Sequence, residues 1–471
     1  MPALKRLHLI LFSFIALSIS SCATYYQKLL EFNDKIETGN IADAKALLEK
    51  DKKTPEGKNR LLYFMNRGTV EMLSGNYELS NQFFNQADIT IEDYQKKASS
   101  QALALISNPM AMEYSAEDYE KVLIHYYKAL NYIQLNDKES ALIECRRLNL
   151  KLQQLNDKYK KKNRYSEDAF GHNLMGIIYE SSGEINNAFI AYRNAVEAYD
   201  NIYTKQFNTA IPDQLKKDVI RTAYAMGFNE EGRQFEERFG IKNNPYSNNQ
   251  PELIFFWNNG LGPVKSENSI NFSIVKGQGG YVTFVNEELG INIPFPMPTG
   301  SSTNSALGDL EFIRVAFPKY VEREPYYTTA SLVADQKSYN LELAENVNNI
   351  AFKTLDDRML REMSNSLLRL ATKKAAEYAA RDQNQNIGSL VGIVNAITEK
   401  ADTRNWQTLP HSIHYTRIPL KIGENEIKLK LSSFDNKTVR EQSFKFYAEK
   451  GKTLFQVYQN FESRAYSLAS Y

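Results

Sequence analysis

The sequence predicts an α+β protein, with an N-terminal all-α solenoid followed by a β-rich domain that has a long helical insert and ends in a small β-sandwich. Small and aromatic residues recur along the first half of the 471 residues at a period typical of paired helices. Beyond residue 250 the apolar period becomes two, which is typical of strands. A helical period then returns at about residue 341.

The N-terminus has the features of a bacterial lipoprotein signal. Two basic residues precede the uncharged stretch from Leu7 to Ile19, which has the length of a signal-peptide core and is too short to span a membrane. Ile19-Ser20-Ser21-Cys22 then resembles a lipobox. We therefore predict a signal peptide over residues 1–21 and permanent attachment to a membrane through acylated Cys22.

The position after this cysteine bears on localisation. In enteric bacteria, an aspartate directly after the lipidated cysteine resembles a signal for retention in the inner membrane. This chain has Ala23 at that position instead. Its presence favours the outer membrane, and we expect the body of the protein to face the periplasm. The alternative is an ordinary secretory signal that happens to end at a cysteine.

Composition and charge exclude some classes of protein. Lys and Arg number 57 against 56 Asp and Glu, so no net charge directs the chain to nucleic acid. A hydrophobic content of 42% is sufficient for two or three folded domains. Because Cys22 carries lipid in this interpretation, Cys145 has no disulfide partner and is predicted to be a buried, inert thiol.

Repeats of tetratricopeptide (TPR) type define the first half. The clearest copy, Ala169 to Tyr199, has small residues where two helices approach, a glycine at the turn and aromatics between neighbours. These residues are Gly176, Tyr179, Gly183, Ala188, Tyr192 and Ala195. A second copy runs from Leu61 to Ala87, and a third contains Ala129, Ala141 and Cys145. We predict a TPR-like helical domain over residues 22–240.

Breaks in the pattern place the remaining boundaries. Asn108-Pro109 interrupts the repeats, and Ser115 with Asp118 resembles a capping box for the next helix. A polar stretch with proline predicts a linker over 241–250.

The second half is predicted to contain two β modules. Residues 251–410 form a mixed β domain with a long helical region at about 341–400, in which the shorter apolar segment from Ile387 to Ile397 can form a second helix that packs on the first. Residues 411–471 form a small antiparallel β module of four strands joined by turns.

The two halves together resemble a family of uncharacterised bacterial lipoproteins with N-terminal TPR repeats. The resemblance rests on Asn108 to Ile133 and on Ala401 to Pro410, followed by a strand and Gly423, and it covers most of the chain. It implies the architecture and no assigned activity. No catalytic residue is carried over from it.

Motifs of catalysis and cofactor binding are absent. There is no GxSxG, P-loop, dinucleotide fingerprint, HExxH or CxxC. His411 and His414 lie three apart before a strand, a geometry that directs side chains to opposite faces and disfavours a shared metal. We predict no enzyme, cofactor or metal site, although scattered carboxylates leave a hydrolase pair open.

The concave face of a TPR array is the first candidate binding site. Such arrays bind extended peptides against the first helix of each pair. The candidate groove residues on these helices are Met65, Thr69, Tyr126, Leu130, Asn173, Ile177 and Glu180. The alternative is that the C-terminal domain fills this groove and the array is only a scaffold.

A second candidate site lies between the helical insert and the last strands. An Asp402–Arg404 pair beside an exposed Trp406 can hold an anionic or sugar ligand. The alternative is a structural corner with a salt bridge and a buried ring.

Two functional hypotheses follow. The first is a lipid-anchored scaffold of the cell envelope that holds a protein or peptide partner on its helical array. The second is a peptidoglycan- or glycan-handling lipoprotein, either a binding module or a cryptic hydrolase, that acts through its β domain.

Overall fold

A computed structural model describes residues 25–97, 109–158, 165–245, 250–276, 281–296, 312–383, 401–435 and 439–465. Cys22 with the predicted signal, and the segment from Ile387 to Ile397, lie outside these residues. No helix within the described ranges has the length and apolarity needed to cross a membrane.

The first half of the chain is a TPR-like array of helix pairs. Helices α1 to α11 are Tyr25–Lys28, Leu30–Glu37, Ile41–Lys50, Arg60–Leu73, Tyr77–Lys97, Asp118–Gln134, Lys138–Lys158, Ala169–Ser181, Ile185–Ala198, Asp213–Ala225 and Asn229–Phe239. From α2 onward, each helix contacts the next helix along the chain, α2 with α3 through to α10 with α11. A π-helical segment, Tyr199–Phe207, extends α9.

Glycines allow the two helices of a pair to approach. Gly176 of α8 lies against the ring of Tyr192 on α9, and Gly68 of α4 lies against Phe84 on α5 in the same way. A Cβ atom at either glycine would overlap the facing ring. The shared register of these contacts explains why the sequence repeats.

Two local predictions in the array have definite outcomes. Helix α6 is capped by Glu117, with Glu120 completing the capping box, so the predicted box of Ser115 and Asp118 was wrong by two residues. Cys145 of α7 is a buried free thiol, as predicted. Burial raises the pKa of this thiol, which keeps it protonated and unreactive.

The second half contains three four-stranded sheets. Strands β1 to β12 are Glu252–Asn259, Val264–Lys276, Tyr281–Asn286, Ile291–Pro296, Phe312–Val321, Tyr327–Ala334, Lys337–Asn340, Glu342–Glu345, Ser412–Pro419, Gly423–Ser433, Val439–Ala448 and Thr453–Gln459. The strand orders are β12-β1-β9-β8, β11-β10-β6-β7 and β4-β3-β2-β5.

The first two of these sheets form a β-sandwich. Leu253, Phe255 and Trp257 of β1 share one core with residues of β6, β9 and β10. β1 pairs antiparallel with β9 and parallel with β12, and β6 pairs with β10. The predicted division at residue 410 is therefore not a structural boundary, because strands from both sides of it share two sheets.

The third sheet carries the long helical insert. Helix α12, Val347–Gln383, packs Met363 and Leu367 against Phe272 and Phe317 of this sheet. The helix begins later than the predicted start at Leu341 because residues 342–345 form β8 and pair with β9.

Substitution of Gly176 by alanine tests the helix-pair contact. We expect the free energy of unfolding to fall by about 1–3 kcal/mol, because the new methyl group overlaps the Tyr192 ring. Gly57→Ala is the control, since a Cβ there has ordinary contacts only. Urea unfolding of the wild type and of both variants measures the two changes in stability. Equal unfolding midpoints for Gly176→Ala and Gly57→Ala would contradict the contact.

Candidate functional site

The β-sandwich covers the concave face of the array. β1 is buried on both sides, with Ile254 and Phe256 directed to the array rather than to the sandwich core. Rings of Phe256 and of Tyr415 on β9 lie 6.1 and 6.3 Å from the ring of Phe170 on α8. An aromatic layer thus joins the array to the outer face of the β12-β1-β9-β8 sheet.

All seven candidate groove residues are buried, and Leu130 lies at the edge of this interface, where it also lines the open groove described below. Their exposed fractions range from 0% at Met65 and Asn173 to 8% at Glu180. Tyr126 donates its hydroxyl to Asn258 of β1 at 3.2 Å. This placement corrects the expectation of an open peptide groove, because the chain's own sheet fills it. The full set is Met65, Thr69, Tyr126, Leu130, Asn173, Ile177 and Glu180.

The second candidate site is a structural corner. Arg404 is 1% exposed and its guanidinium donates to Asp402, to Asn59 and to carbonyls of the turn at 109–112, at 2.7 to 3.1 Å. Every direction from which an anion could approach is therefore occupied. Trp406 is also 1% exposed, so the hypothesis of an exposed ring beside a ligand is wrong and the alternative of a structural corner with a buried ring agrees with the structure.

The ring of Trp406 instead fixes the segment after residue 400 to the array. It lies 5.8 Å from Phe84 and 5.4 Å from Tyr127, measured between ring centroids. Its backbone N–H donates to Glu120 at 2.6 Å. Burial, followed by the neighbouring Glu117, raises the pKa of Glu120 to about 7.

A buried ionic network joins the array to the sandwich at its other end. Arg417 of β9 contacts Glu180 at 2.6 Å, Glu252 at 2.8 Å and Asp218 at 3.5 Å. Arg221 of α10 also contacts Glu180 and Asp218, at 2.5 and 2.7 Å. Each of these three carboxylates thus has a guanidinium partner, which offsets the cost of burying its charge.

A pair of buried acids lies beneath the same interface. The Tyr203 hydroxyl lies 3.3 Å from Asp168 and 3.2 Å from Glu345, and Tyr165 donates to Asp168 at 2.7 Å. Burial, followed by the charge of Asp168, raises the pKa of Glu345 well above its usual value. This shift favours the protonated form of Glu345.

The two histidines singled out in the sequence have protein partners. His411 Nε2 lies 2.8 Å from Glu322, and the ring of His414 lies 4.7 Å from that of Trp257. Burial lowers the pKa of His414 to about 3, which keeps the ring neutral. Across the described ranges, no cluster of three or more His, Cys, Asp or Glu side chains is arranged to hold a metal ion.

A groove beside the interface is open to solvent, and we call it the β12 groove. It lies between the C-terminal ends of α4 and α6 and residues 457–461, and has a volume of about 450 Å³. Tyr77, Leu130 and Tyr458 contribute aromatic and apolar surface. None of its 13 lining residues is charged. Its size falls within the range of ligand pockets.

Three amide side chains give the β12 groove unused hydrogen-bonding capacity. Asn131 Oδ1, Gln134 Nε2 and both polar atoms of Gln459 are buried and have no hydrogen-bond partner among the described residues. Leaving a buried polar atom unpaired costs about 1–3 kcal/mol. A ligand that pairs these amides recovers that cost, which makes this groove the candidate binding site.

Of the residues that line the β12 groove, sequence reasoning named only Leu130 as a site residue, because the lining comes from distant places in the chain. Two of these places are ends of repeat helices and another is the end of the last strand. The one available signal is the strand TLFQVYQ, from Thr453 to Gln459, which has neither charge nor proline.

Comparison with known proteins yields similarity to solved structures alone. No protein family model and no curated protein matches the sequence. MamA is 14% identical over 44% of this chain and 91% of that chain, with a TM-score of 0.28. A putative kinesin light chain of Podosopora anserina with TPR-like repeats is 13% identical over 45% and 92%, with a TM-score of 0.30. BtubC (BKLC) from P. vanneervenii is 15% identical over 47% and 83%, with a TM-score of 0.29.

Removal of the central guanidinium tests the ionic network. We expect Arg417→Ala to lower the free energy of unfolding by about 3–5 kcal/mol, because Glu180 and Asp218 lose a partner while they remain buried. Arg464→Ala is the matched control, since its pair with Glu324 is exposed and contributes about 0–1 kcal/mol. Equal losses in urea titrations of the two variants would contradict a special role for Arg417.

The buried acid at Glu345 predicts a pH dependence. Folding raises the pKa of this carboxyl, so the native state holds the proton to a higher pH than the unfolded state does. The free energy of unfolding therefore falls as the pH rises above the pKa of the unfolded chain, about 4.3. Glu345→Gln removes this loss. We expect the melting temperature of Glu345→Gln to rise relative to that of the wild type as the pH increases from 5 to 8. Glu424→Gln, at an exposed position, is the control, and its difference from the wild type should stay constant over this range. A pH-independent difference would contradict the assignment.

Proposed function

We propose that this protein is a lipid-anchored scaffold of the bacterial outer membrane, facing the periplasm, which holds a protein partner in the β12 groove. The observation that carries the proposal is the set of unpaired, buried amides in an open, uncharged groove. The array supports this role as a rigid frame, because its own concave face is occupied by the sandwich.

The position of the first described residue supports an anchor that holds the body close to a membrane. The backbone N–H of Tyr25 donates to Thr403 at 3.1 Å, and the Tyr25 side chain is buried. Two residues separate Tyr25 from Cys22. A lipid on Cys22 would therefore hold the folded body at the membrane surface with almost no linker.

A glycan ligand is the second candidate function. Amide side chains beside aromatic rings also suit a neutral sugar, since the amides pair with hydroxyl groups and the rings cover the sugar face. The β12 groove offers both, in Gln134, Gln459 and Tyr77. This observation keeps peptidoglycan fragments among the ligands to be tested.

Site-specific photo-cross-linking in intact envelopes separates the two candidates. We expect a cross-linker at Tyr77, in the groove, to capture one protein, because the partner covers that position. The same probe at Ile190, an exposed position on α9, is the matched control and should not capture it.

Cys22→Ala provides the localisation arm of the same experiment. It should abolish acyl labelling and release the protein from the membrane fraction. Capture of murein fragments in place of a protein at Tyr77 would favour the glycan candidate, and equal protein capture at Ile190 would contradict a groove-specific partner.

A further inference from the structure

Strand β12 is an edge strand that runs into the β12 groove. Within the described residues it pairs only with β1, in a parallel register from Glu252 and Thr453 to Asn258 and Gln459. In a parallel ladder, alternate residues of a strand direct both N–H and C=O to one neighbour. The other residues of β12 therefore direct theirs to the free edge.

Two hydrogen bonds decide which residues these are. Glu252 N donates to Lys452 O at 3.0 Å, and Asn460 N donates to Asn258 O at 3.2 Å. The even-numbered residues from Lys452 to Asn460 therefore direct their N–H and C=O groups to β1. The N–H and C=O groups of 455, 457 and 459 thus face outward, and the Gln456 side chain indeed reaches around to donate to Val457 O at 2.8 Å.

The composition of β12 distinguishes it from the other sheet edges. Edge strands usually carry charge or proline, which discourages pairing with another chain. Among the six edge strands of the described sheets, β4 has prolines, β7, β8 and β11 have charged residues, and β5 has both. β12 has neither.

We propose that β12 binds an extended, uncharged peptide segment of a protein partner as an additional strand. Outward main-chain groups recur every second residue, about 6.6 Å apart, which matches the repeat of a peptide strand. A charged segment would lose hydration in a groove that offers no counter-charge. Asn131, Gln134 and Gln459 then pair with amides or hydroxyls of that segment. This inference rests on the proposed function and specifies its ligand class.

Backbone hydrogen exchange of the full chain tests the free edge directly. The probe is a proline-free, uncharged octapeptide selected from a display library against the full chain. Before its addition, the amides of Phe455, Val457 and Gln459 should exchange faster than those of Leu454, Gln456 and Tyr458. The peptide should slow the first set at least tenfold and leave the second unchanged. Slow exchange of both sets in the free protein would overturn the proposal.

Proline substitution removes one outward donor while it leaves the ladder to β1 in place. Val457→Pro should weaken peptide binding about tenfold, whereas Val457→Ala, which keeps the N–H, should bind as the wild type. Tyr458→Pro removes an N–H that donates to β1, so it is the reference for a variant in which the ladder itself is disrupted. Unchanged binding by a folded Val457→Pro variant would overturn the proposal.

N-methylated peptides give the same test on the unaltered protein. Two versions of the peptide are compared, one methylated on its odd-numbered amides and the other on its even-numbered amides. One version should lose binding and the other should keep it, because only one of the two sets of amides faces β12. Equal binding of both versions would overturn strand pairing. If envelope cross-linking at Tyr77 still captures a protein in that case, the scaffold function stands and only this binding mode fails.

Discussion

Helix α6 has no free face, and the rest of the structure depends on that constraint. All but two of its residues are buried, including several that carry charge. A buried ionisable group without a partner costs several kcal/mol. Glu144 of α7 lies 2.9 Å from Lys128 Nζ and 2.8 Å from His125 Nδ1, while the N–H of Trp406 donates to Glu120. The array and the segment after residue 400 thus complete this helix together.

Sequence patterns predicted the helix pairs and most of the strands because both signals are local. Gly176 and Tyr192 lie 16 positions apart within one repeat. The cover of the concave face has no such signal, since the pairing of β1 with β12 joins positions 201 apart. The short β7 and β8 and the proline-containing β4 were also missed.

A TPR-like array that binds its own β-sandwich differs from an array with an empty groove. Its concave surface supplies stability, through the aromatic layer at Phe170 and the charges around Arg417. Our proposal places recognition at the rim instead, where the turn after α4 and the end of α6 lie beside β12. The array shapes one wall of the β12 groove and the sandwich shapes the other, so neither part forms this site alone.

The long-range closure of the sandwich has a consequence for biogenesis. The Asn33 side chain donates to Gln407, 374 positions later in the chain. β1 can pair with β12 only after the chain has been synthesised as far as β12. Contacts of such separation form late in folding. We expect the concave aromatic surface to remain uncovered until synthesis of the chain reaches β12. The nascent protein should therefore depend on holding chaperones until its last strand is available.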